Sequence, residues 1–175
     1  ELRQRLANLP DDCVPTDELI ANARAAMRAL AERGHDMSAE FERWSEQLGR
    51  FEVFRASDGN IVRRHGGTLA HLGDQRSAAA TIGSEHIDRA AESPAPFLIE
   101  GIDPPWLFIE LAQRTPKLDS GYQPGIRLVQ QDACEFFDGC ALCDISEILR
   151  QERVECFVGQ AAGKSLPRPC RATRA

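Results

Sequence analysis

The residues best placed for chemistry lie in two short turns, each of which follows an apolar segment. In FLIEGIDPPWLFIELAQRT, residues 97–115, an apolar strand ends near Gly101 and Asp103, and an amphipathic helix begins after two prolines. The free N–H groups at a helix start suit a phosphate or a carboxylate, and ligands of doubly wound folds lie at such turns. Gly101 and Asp103 are therefore candidate cofactor-binding residues.

The same turn also fits a plainer interpretation, a capped corner without a ligand. A dinucleotide site uses G-x-G-x-x-G, whereas Gly101 stands alone here. The prolines remove N–H groups that a phosphate would use. Asp103 at the helix cap and Pro104 at the first helical position are also ordinary helix start signals. The sequence leaves both interpretations open.

Gln131 and Asp132 form the second candidate pair, at the end of the apolar segment 126–131. In nucleotide-binding folds, an acidic side chain at the end of the second strand binds a ribose hydroxyl. Asp132 lies further from Gly101 than the ~20 residues of the usual fingerprint, and the loop before the strand accounts for the added length. Asp132 and Glu135 also fit an acidic capping box, so ribose binding and helix capping are alternatives.

Four cysteines in the C-terminal half raise the question of a metal site. Cys140 and Cys143 form a C-x-x-C, with Cys134 and Cys156 near in sequence. Zinc sites usually combine two such pairs, and the sequence has no second C-x-x-C and no close His pair. We therefore predict no metal and interpret these residues as reduced, buried thiols that pack as small apolar groups.

The elements that must position these residues begin with two amphipathic helices. Apolar residues recur at helical spacing over 16–34 and again over 38–49, which predicts a helical hairpin. Over 51–64 the pattern becomes extended, and Asp58 and Gly59 stand where a tight turn needs positive φ. This segment predicts a β-hairpin.

The rest of the chain predicts a parallel sheet. Helix-favouring composition over 68–93, interrupted by glycines, predicts one or two short helices. From residue 95 the pattern alternates between strand and helix, which is typical of parallel strands joined by crossover helices. The predicted strands are 97–101, 126–131 and 154–159. The fold class is therefore α/β, in which a helical hairpin and a β-hairpin precede a partial Rossmann-like sheet of three parallel strands.

Composition excludes several classes of function. A net charge of -6 and a pI near 5.3 argue against a nucleic-acid-binding surface, which needs clustered Lys and Arg. The sequence shows neither a signal peptide nor an apolar run long enough to span a membrane, so we expect a cytoplasmic protein. We divide the chain into a helical hairpin, a β-hairpin with connecting helices, a Rossmann-like half-domain and a disordered basic tail, at residues 1–50, 51–94, 95–160 and 161–175.

Several stretches, taken together, carry a family resemblance. They are FRASDGNIVRR (54–64), LAHLGDQRSAAAT (69–81), PFLIEGI (96–102), IRLVQQDACEFF (126–137), CDISEIL (143–149) and RVECFVGQAAGKSL (153–166). This part of the chain resembles the N-terminal Rossmann-like region of bacterial glycosyltransferases of the motility-accessory-factor and spore-maturation type. In that family a "D-hydrophobic-S" helix leads to a third strand ending in Phe-x-Gly, as at 144–146 and 157–159 here.

The resemblance implies a fragment of a sugar-transferring enzyme that acts as a scaffold or nucleotide-side module. A nucleotide-sugar would be its partner, a transferase domain would follow downstream, and the chain would be inactive alone. The sequence identifies neither catalytic residues nor a cofactor. Two alternatives stay open. One is an S-adenosylmethionine-dependent methyltransferase-like domain that uses the same turn and Asp132, and the other is a non-catalytic interaction domain.

Overall fold

The computed structural model describes residues 13–55, 60–65, 68–92 and 95–159. Its helices and strands form a helical pair, an antiparallel sheet and a parallel sheet with covering helices. In chain order the elements are α1 (Thr16–Glu32), α2 (Ser38–Ser45), β1 (Phe51–Arg55), β2 (Ile61–His65), β3 (Thr68–His71), α3 (Leu72–Glu92), β4 (Phe97–Glu100), α4 (Trp106–Arg114), β5 (Ile126–Gln130), α5 (Ala133–Ala141), α6 (Ser146–Leu149) and β6 (Val154–Val158). In the part of the chain described here, each helix is too short or too polar to cross a bilayer.

Helices α1 and α2 confirm the predicted helical hairpin. α1 buries Leu19, Ala23 and Leu30 on one face, as the helical spacing indicated. Pro15 occupies its N-cap position, and no side chain caps this end. The chain turns at Gly34, whose φ of 85° lies in the left-handed region that glycine adopts without strain.

The antiparallel sheet contains one strand more than the sequence predicted. β1 and β2 form the expected hairpin, with Arg55 opposite Ile61, while its predicted turn at 58–59 lies outside the described residues. β3 then pairs with β2, where Thr68 lies opposite His65. The prediction of helix from residue 68 is wrong for these four residues. Pairing with β2 outweighs their local composition.

One long helix, α3, replaces the one or two short helices predicted next. It runs through Gly83, although glycine weakens a helix interior. A Cβ at Gly83 would lie 3.2 Å from the Cβ of Glu110 in α4, so the glycine lets the two helices pack closely. The helix therefore persists because of its packing against α4.

The parallel sheet confirms the predicted fold class. Its strand order is β4-β5-β6, and Phe97, Ile126 and Val154 lie side by side in register. Along β4, buried residues alternate with exposed ones, while α4, α5 and α6 pack against the sheet. The alternation indicates that these helices cover one face.

The second face of the parallel sheet is open among the described residues. Leu98 is 57% exposed, and beside it Arg127 and Glu155 form an ion pair with an N–O distance of 2.7 Å. Purely parallel sheets are usually covered on both faces. Arg127 and Glu155 are charged and can be solvated, whereas their neighbour Leu98 is an exposed apolar group.

The helical hairpin packs directly on the parallel half of the molecule. The Arg33 guanidinium, at the end of α1, donates to the carbonyls of Leu149, at 2.7 Å, and of Val154. Asn22 donates to the carbonyl of Ala141 at 3.1 Å, at the end of α5. These contacts satisfy carbonyls at a helix end and in a loop, and they fix α1 relative to α5, α6 and β6.

Helix α5 lies close to the turn after β4. A Cβ built on Gly139 would lie 2.9 Å from the carbonyl carbon of Ile102 and closer still to its oxygen. Because the neighbouring atoms belong to the backbone, they cannot rotate away. Gly139 is thus required by packing, since its own φ is not in the left-handed region.

We predict that Gly139→Ala lowers the free energy of unfolding by about 1–3 kcal/mol, the usual effect of overpacking a core. The same substitution at Gly49, where a Cβ would meet no atom within 4 Å, is the matched control. Urea denaturation of both variants measures the difference. Equal stability of the two would contradict the close contact between α5 and the turn.

Candidate functional site

The three parallel strands end at one edge of the sheet, which we call the carboxyl rim. Ligands of open α/β sheets bind outside this edge. Gly101 follows the last residue of β4, Gln131 and Asp132 follow that of β5, and Gly159 follows that of β6. The rim therefore brings together all the candidate residues from the sequence.

The turn after β4 has its backbone donors engaged. The N–H of Gly101 donates to the carbonyl of Val129 at 2.9 Å, and the N–H of Ile102 donates to Oε1 of Gln130 at 3.0 Å. Gly101 has a φ of 85°, which glycine adopts readily. Pro104 and Pro105 have no N–H. A phosphate at this turn would find few donors, and the geometry resembles a corner.

Asp103 is engaged as well. Both of its carboxylate oxygens accept from the Arg63 guanidinium, at 2.8 and 2.6 Å, and both side chains are mostly buried. Arg63 belongs to β2, so this ion pair joins the antiparallel sheet to the turn. A second contact joins the first residue of α4 to the start of α3: the indole N–H of Trp106 donates to the carbonyl of Leu72 at 2.9 Å. Ligand binding by Asp103 and Gly101 stays a prediction.

Gln130 is a structural residue of the rim that sequence reasoning missed. It is only 5% exposed, accepts from the N–H of Ile102, and donates to Oε2 of Glu135 at 2.8 Å. Its amide thus connects β5 to the turn after β4 and to the first turn of α5. The available signal was one polar residue at the end of an otherwise apolar strand, next to the exposed Gln131 that we selected instead.

Asp132 occupies the N-cap of α5, as the capping box predicted. Its Oδ1 accepts from the N–H of Cys134 at 2.7 Å and from that of Glu135 at 3.4 Å. Its second oxygen, Oδ2, accepts no hydrogen bond from the described residues. The side chain is exposed, so capping leaves one carboxylate oxygen available to a ligand.

A cleft of about 1020 Å³ opens at the β5 and β6 side of the rim. Asp132 and Gln131 line one wall, and the connection between α1 and α2 forms the opposite wall. Gly101 and Asp103 lie outside it. The described lining residues are Leu30, Gly34, His35, Asp36, Met37, Glu40, Arg43, Gln47, Gln131, Asp132, Ala133, Cys134, Cys156, Phe157, Val158 and Gly159.

Charged groups of the opposite wall form hydrogen bonds and ion pairs with residues close to them in sequence. Asp36 accepts from both the N–H and the hydroxyl of Ser38, at 3.0 and 2.7 Å, and these hydrogen bonds lower the pKa of its carboxyl. Glu40 pairs with Arg43 one turn later at 3.1 Å. Asp36 is therefore ionised at neutral pH and adds negative charge to the cleft.

Cys140 and Cys156 are buried, as predicted, whereas Cys134 and Cys143, which were also predicted to be buried, are only partly buried. Burial raises the pKa of Cys143 to about 11 and that of Cys156 to about 12, and it raises the pKa of Cys140 well above its ordinary value. A thiol in such surroundings stays protonated and weakly nucleophilic. This result agrees with their interpretation as small apolar groups.

We predict that replacing Gln130 by Leu lowers the free energy of unfolding by about 1–3 kcal/mol, because the buried N–H of Ile102 loses its acceptor. Gln131→Leu, the same change at the exposed neighbouring position, should alter stability by about 0.5 kcal/mol or less. Urea denaturation of both variants tests the difference. A tolerated Gln130→Leu would mean that the turn does not depend on this amide.

A second prediction concerns alkaline pH. Because the folded pKa values of Cys143 and Cys156 exceed the ordinary 9.0, their contribution to stability is complete below pH 9.0 and is lost as pH rises through about 11 for Cys143 and about 12 for Cys156. The melting temperature should fall over this range, and less steeply when both residues are replaced by Ala. Cys13→Ala, at an exposed cysteine, is the control. Parallel melting curves for all three proteins would refute the assignment.

Comparison with known proteins gives one distant structural similarity. No family model matches the chain, and no curated protein matches it. Among solved structures, a MAf glycosyltransferase from Magnetospirillum magneticum AMB-1 is similar over 86% of this chain, with 15% identity and a TM-score of 0.42. The chain spans 28% of the length of that protein.

Proposed function

We propose that this chain is the nucleotide-side module of a sugar-transferring enzyme and that its cleft receives the nucleoside of a nucleotide-sugar. The observation that carries the proposal is the position of Asp132. It stands at the end of the second parallel strand, lines the cleft, and has a carboxylate oxygen, Oδ2, without a hydrogen bond from the described residues. A ribose hydroxyl donates to a carboxylate at the corresponding place in nucleotide-binding folds.

The remaining groups of the cleft suit the uncharged parts of such a ligand. The half-buried Phe157 offers apolar surface, which a base or a sugar ring can cover, while Met37 lines the same cleft but is 8% exposed. Gln131 has an amide that can donate and accept hydrogen bonds beside Asp132. These contacts would orient a nucleoside with its ribose against the end of β5.

In this proposal Gly101 and Asp103 shape the rim. The ion pair of Asp103 with Arg63 fixes the turn after β4. The turn is hydrogen-bonded to Gln130, which also binds Glu135 at the start of α5. Their effect on a ligand passes through the position of Asp132. A direct contact of the Asp103 carboxylate with a nucleotide would require the Arg63 pair to open, and one with the N–H of Gly101 would require its hydrogen bond to Val129 to break.

The sugar-transferring part of the proposal comes from the sequence resemblance to glycosyltransferases. We assign donor binding and scaffolding to this chain and assign the transfer step to a downstream transferase domain. An S-adenosylmethionine-dependent methyltransferase would also place a ribose at Asp132. The open sheet face with Leu98 favours a second candidate, a non-catalytic interaction domain.

Thermal shift measurements with UDP-, GDP- and CMP-sugars, free nucleosides and S-adenosylmethionine test the proposal. A ligand that binds the folded state raises the melting temperature, and the rise grows with the logarithm of the ligand concentration once this exceeds Kd. We expect a shift with one nucleoside series and none with free sugars. A response to S-adenosylmethionine alone would favour the methyltransferase alternative, and no response in the whole panel would favour the interaction domain.

We predict that Asp132→Asn weakens binding of the responding nucleoside about tenfold or more, because a hydrogen bond to a charged acceptor is lost. Asparagine is a good N-cap, so folding should be retained. Asp144→Asn is the control, since Asp144 lies just before α6 and also accepts from a backbone N–H, that of Ser146 at 2.8 Å, but is outside the cleft. Calorimetric titration measures both, and equal affinities would exclude Asp132 from the site.

A further inference from the structure

The charge of the cleft indicates which part of the ligand enters it. Resting on the proposed function, we infer that the cleft takes the uncharged nucleoside and that each phosphate group weakens binding there. The phosphates of a nucleotide-sugar would then point out of the cleft into solvent or toward another domain. Two independent features of the rim support this inference.

The first feature is that two of the first three N–H groups of α5, the helix that starts at the cleft, are engaged by Asp132. At the N-terminus of α5, Asp132 accepts from the N–H groups of Cys134 and Glu135, and its own carbonyl accepts from that of Phe136 at 3.1 Å. Phosphate sites at helix starts depend on such N–H groups being free. The carboxylate of Asp132 already occupies the place that a phosphate would take.

The turn after β4 also offers few N–H groups to a phosphate. Gly101 and Ile102 donate within the protein, and two prolines follow Asp103. A phosphate moved from α5 toward β4 would therefore lose hydrogen bonds to water without gaining equivalent ones. Neither of these helix starts at the rim provides a phosphate cradle.

The second feature is the sign of the charge. Asp36, Glu40 and Asp132 line the cleft, and among the described lining residues Arg43 is the one arginine or lysine. Arg43 is already paired with Glu40. The remaining carboxylates repel a phosphate, whereas they accept hydrogen bonds from neutral hydroxyl groups. The cleft therefore favours a polyhydroxylated, uncharged ligand.

Calorimetric titration with uridine, UMP and UDP, and with the matching cytidine and guanosine series, tests the inference. In the series that binds, we expect the nucleoside to bind most tightly, with affinity falling about threefold per added phosphate charge at low ionic strength. High salt should reduce these differences, because it screens exposed charges. Tighter binding of the diphosphate would overturn the inference and leave the proposed function standing. Failure of every nucleoside to bind would overturn both.

Glu40→Gln tests whether the negative charge of the cleft is what weakens the binding of phosphate groups. Removing this carboxylate and releasing Arg43 should tighten the binding of UDP about threefold relative to that of uridine. Glu110→Gln is the matched control, because it breaks an equivalent helical ion pair with Arg114, at 3.0 Å, away from the cleft. Circular dichroism checks that both variants fold. An equal change for uridine and UDP, or no change for UDP, would contradict repulsion by the cleft.

Discussion

The buried amide of Gln130 determines the shape of the carboxyl rim. It accepts from the N–H of Ile102 and donates to Glu135, so it joins β5, the turn after β4 and the start of α5. Gly139 completes the contact, since only a residue without a Cβ lets α5 approach the carbonyl of Ile102. The carboxyl rim is thus closed between β4 and β5 and open between β5 and β6. The position of the cleft follows from this difference, because the donors of the closed side are already used within the protein.

The helical hairpin forms one wall of the cleft because hydrogen bonds fix it to the parallel half of the molecule. Arg33 binds carbonyls at the end of α6 and in β6, and Asn22 binds the end of α5. These contacts hold the end of α1, and with it the connection to α2, opposite the ends of β5 and β6. His35, Asp36 and Met37 thereby become one wall of the cleft. A parallel half-sheet alone would have a flat rim, and the hairpin turns it into a concave site.

Local pattern was enough to predict the elements and one side of the site. The alternating apolar segments located all three parallel strands within a residue of their observed ends. Asp132 was identified as a cap because capping depends on residues three positions apart. Gln130 and the opposite wall of the cleft were missed, since each depends on a partner distant in sequence, and β3 was missed because its pairing with the neighbouring β2 outweighs its local composition. Pairing of Thr68 with His65 and the hydrogen bond between Gln130 and Ile102 leave no local periodic signal.

The open sheet face and the cleft are connected through one side chain. Phe157 lies in register with Val129 and Glu100 on the face that carries Leu98, Arg127 and Glu155, and it also lines the cleft. A parallel sheet is normally covered on this face, and the exposed Leu98 provides apolar surface for a covering element. An element that covers the face at its β6 side contacts Phe157 and thereby reaches the edge of the cleft. Under the proposed function, an element that covers this face would therefore change the cleft through Phe157 without contacting Asp132.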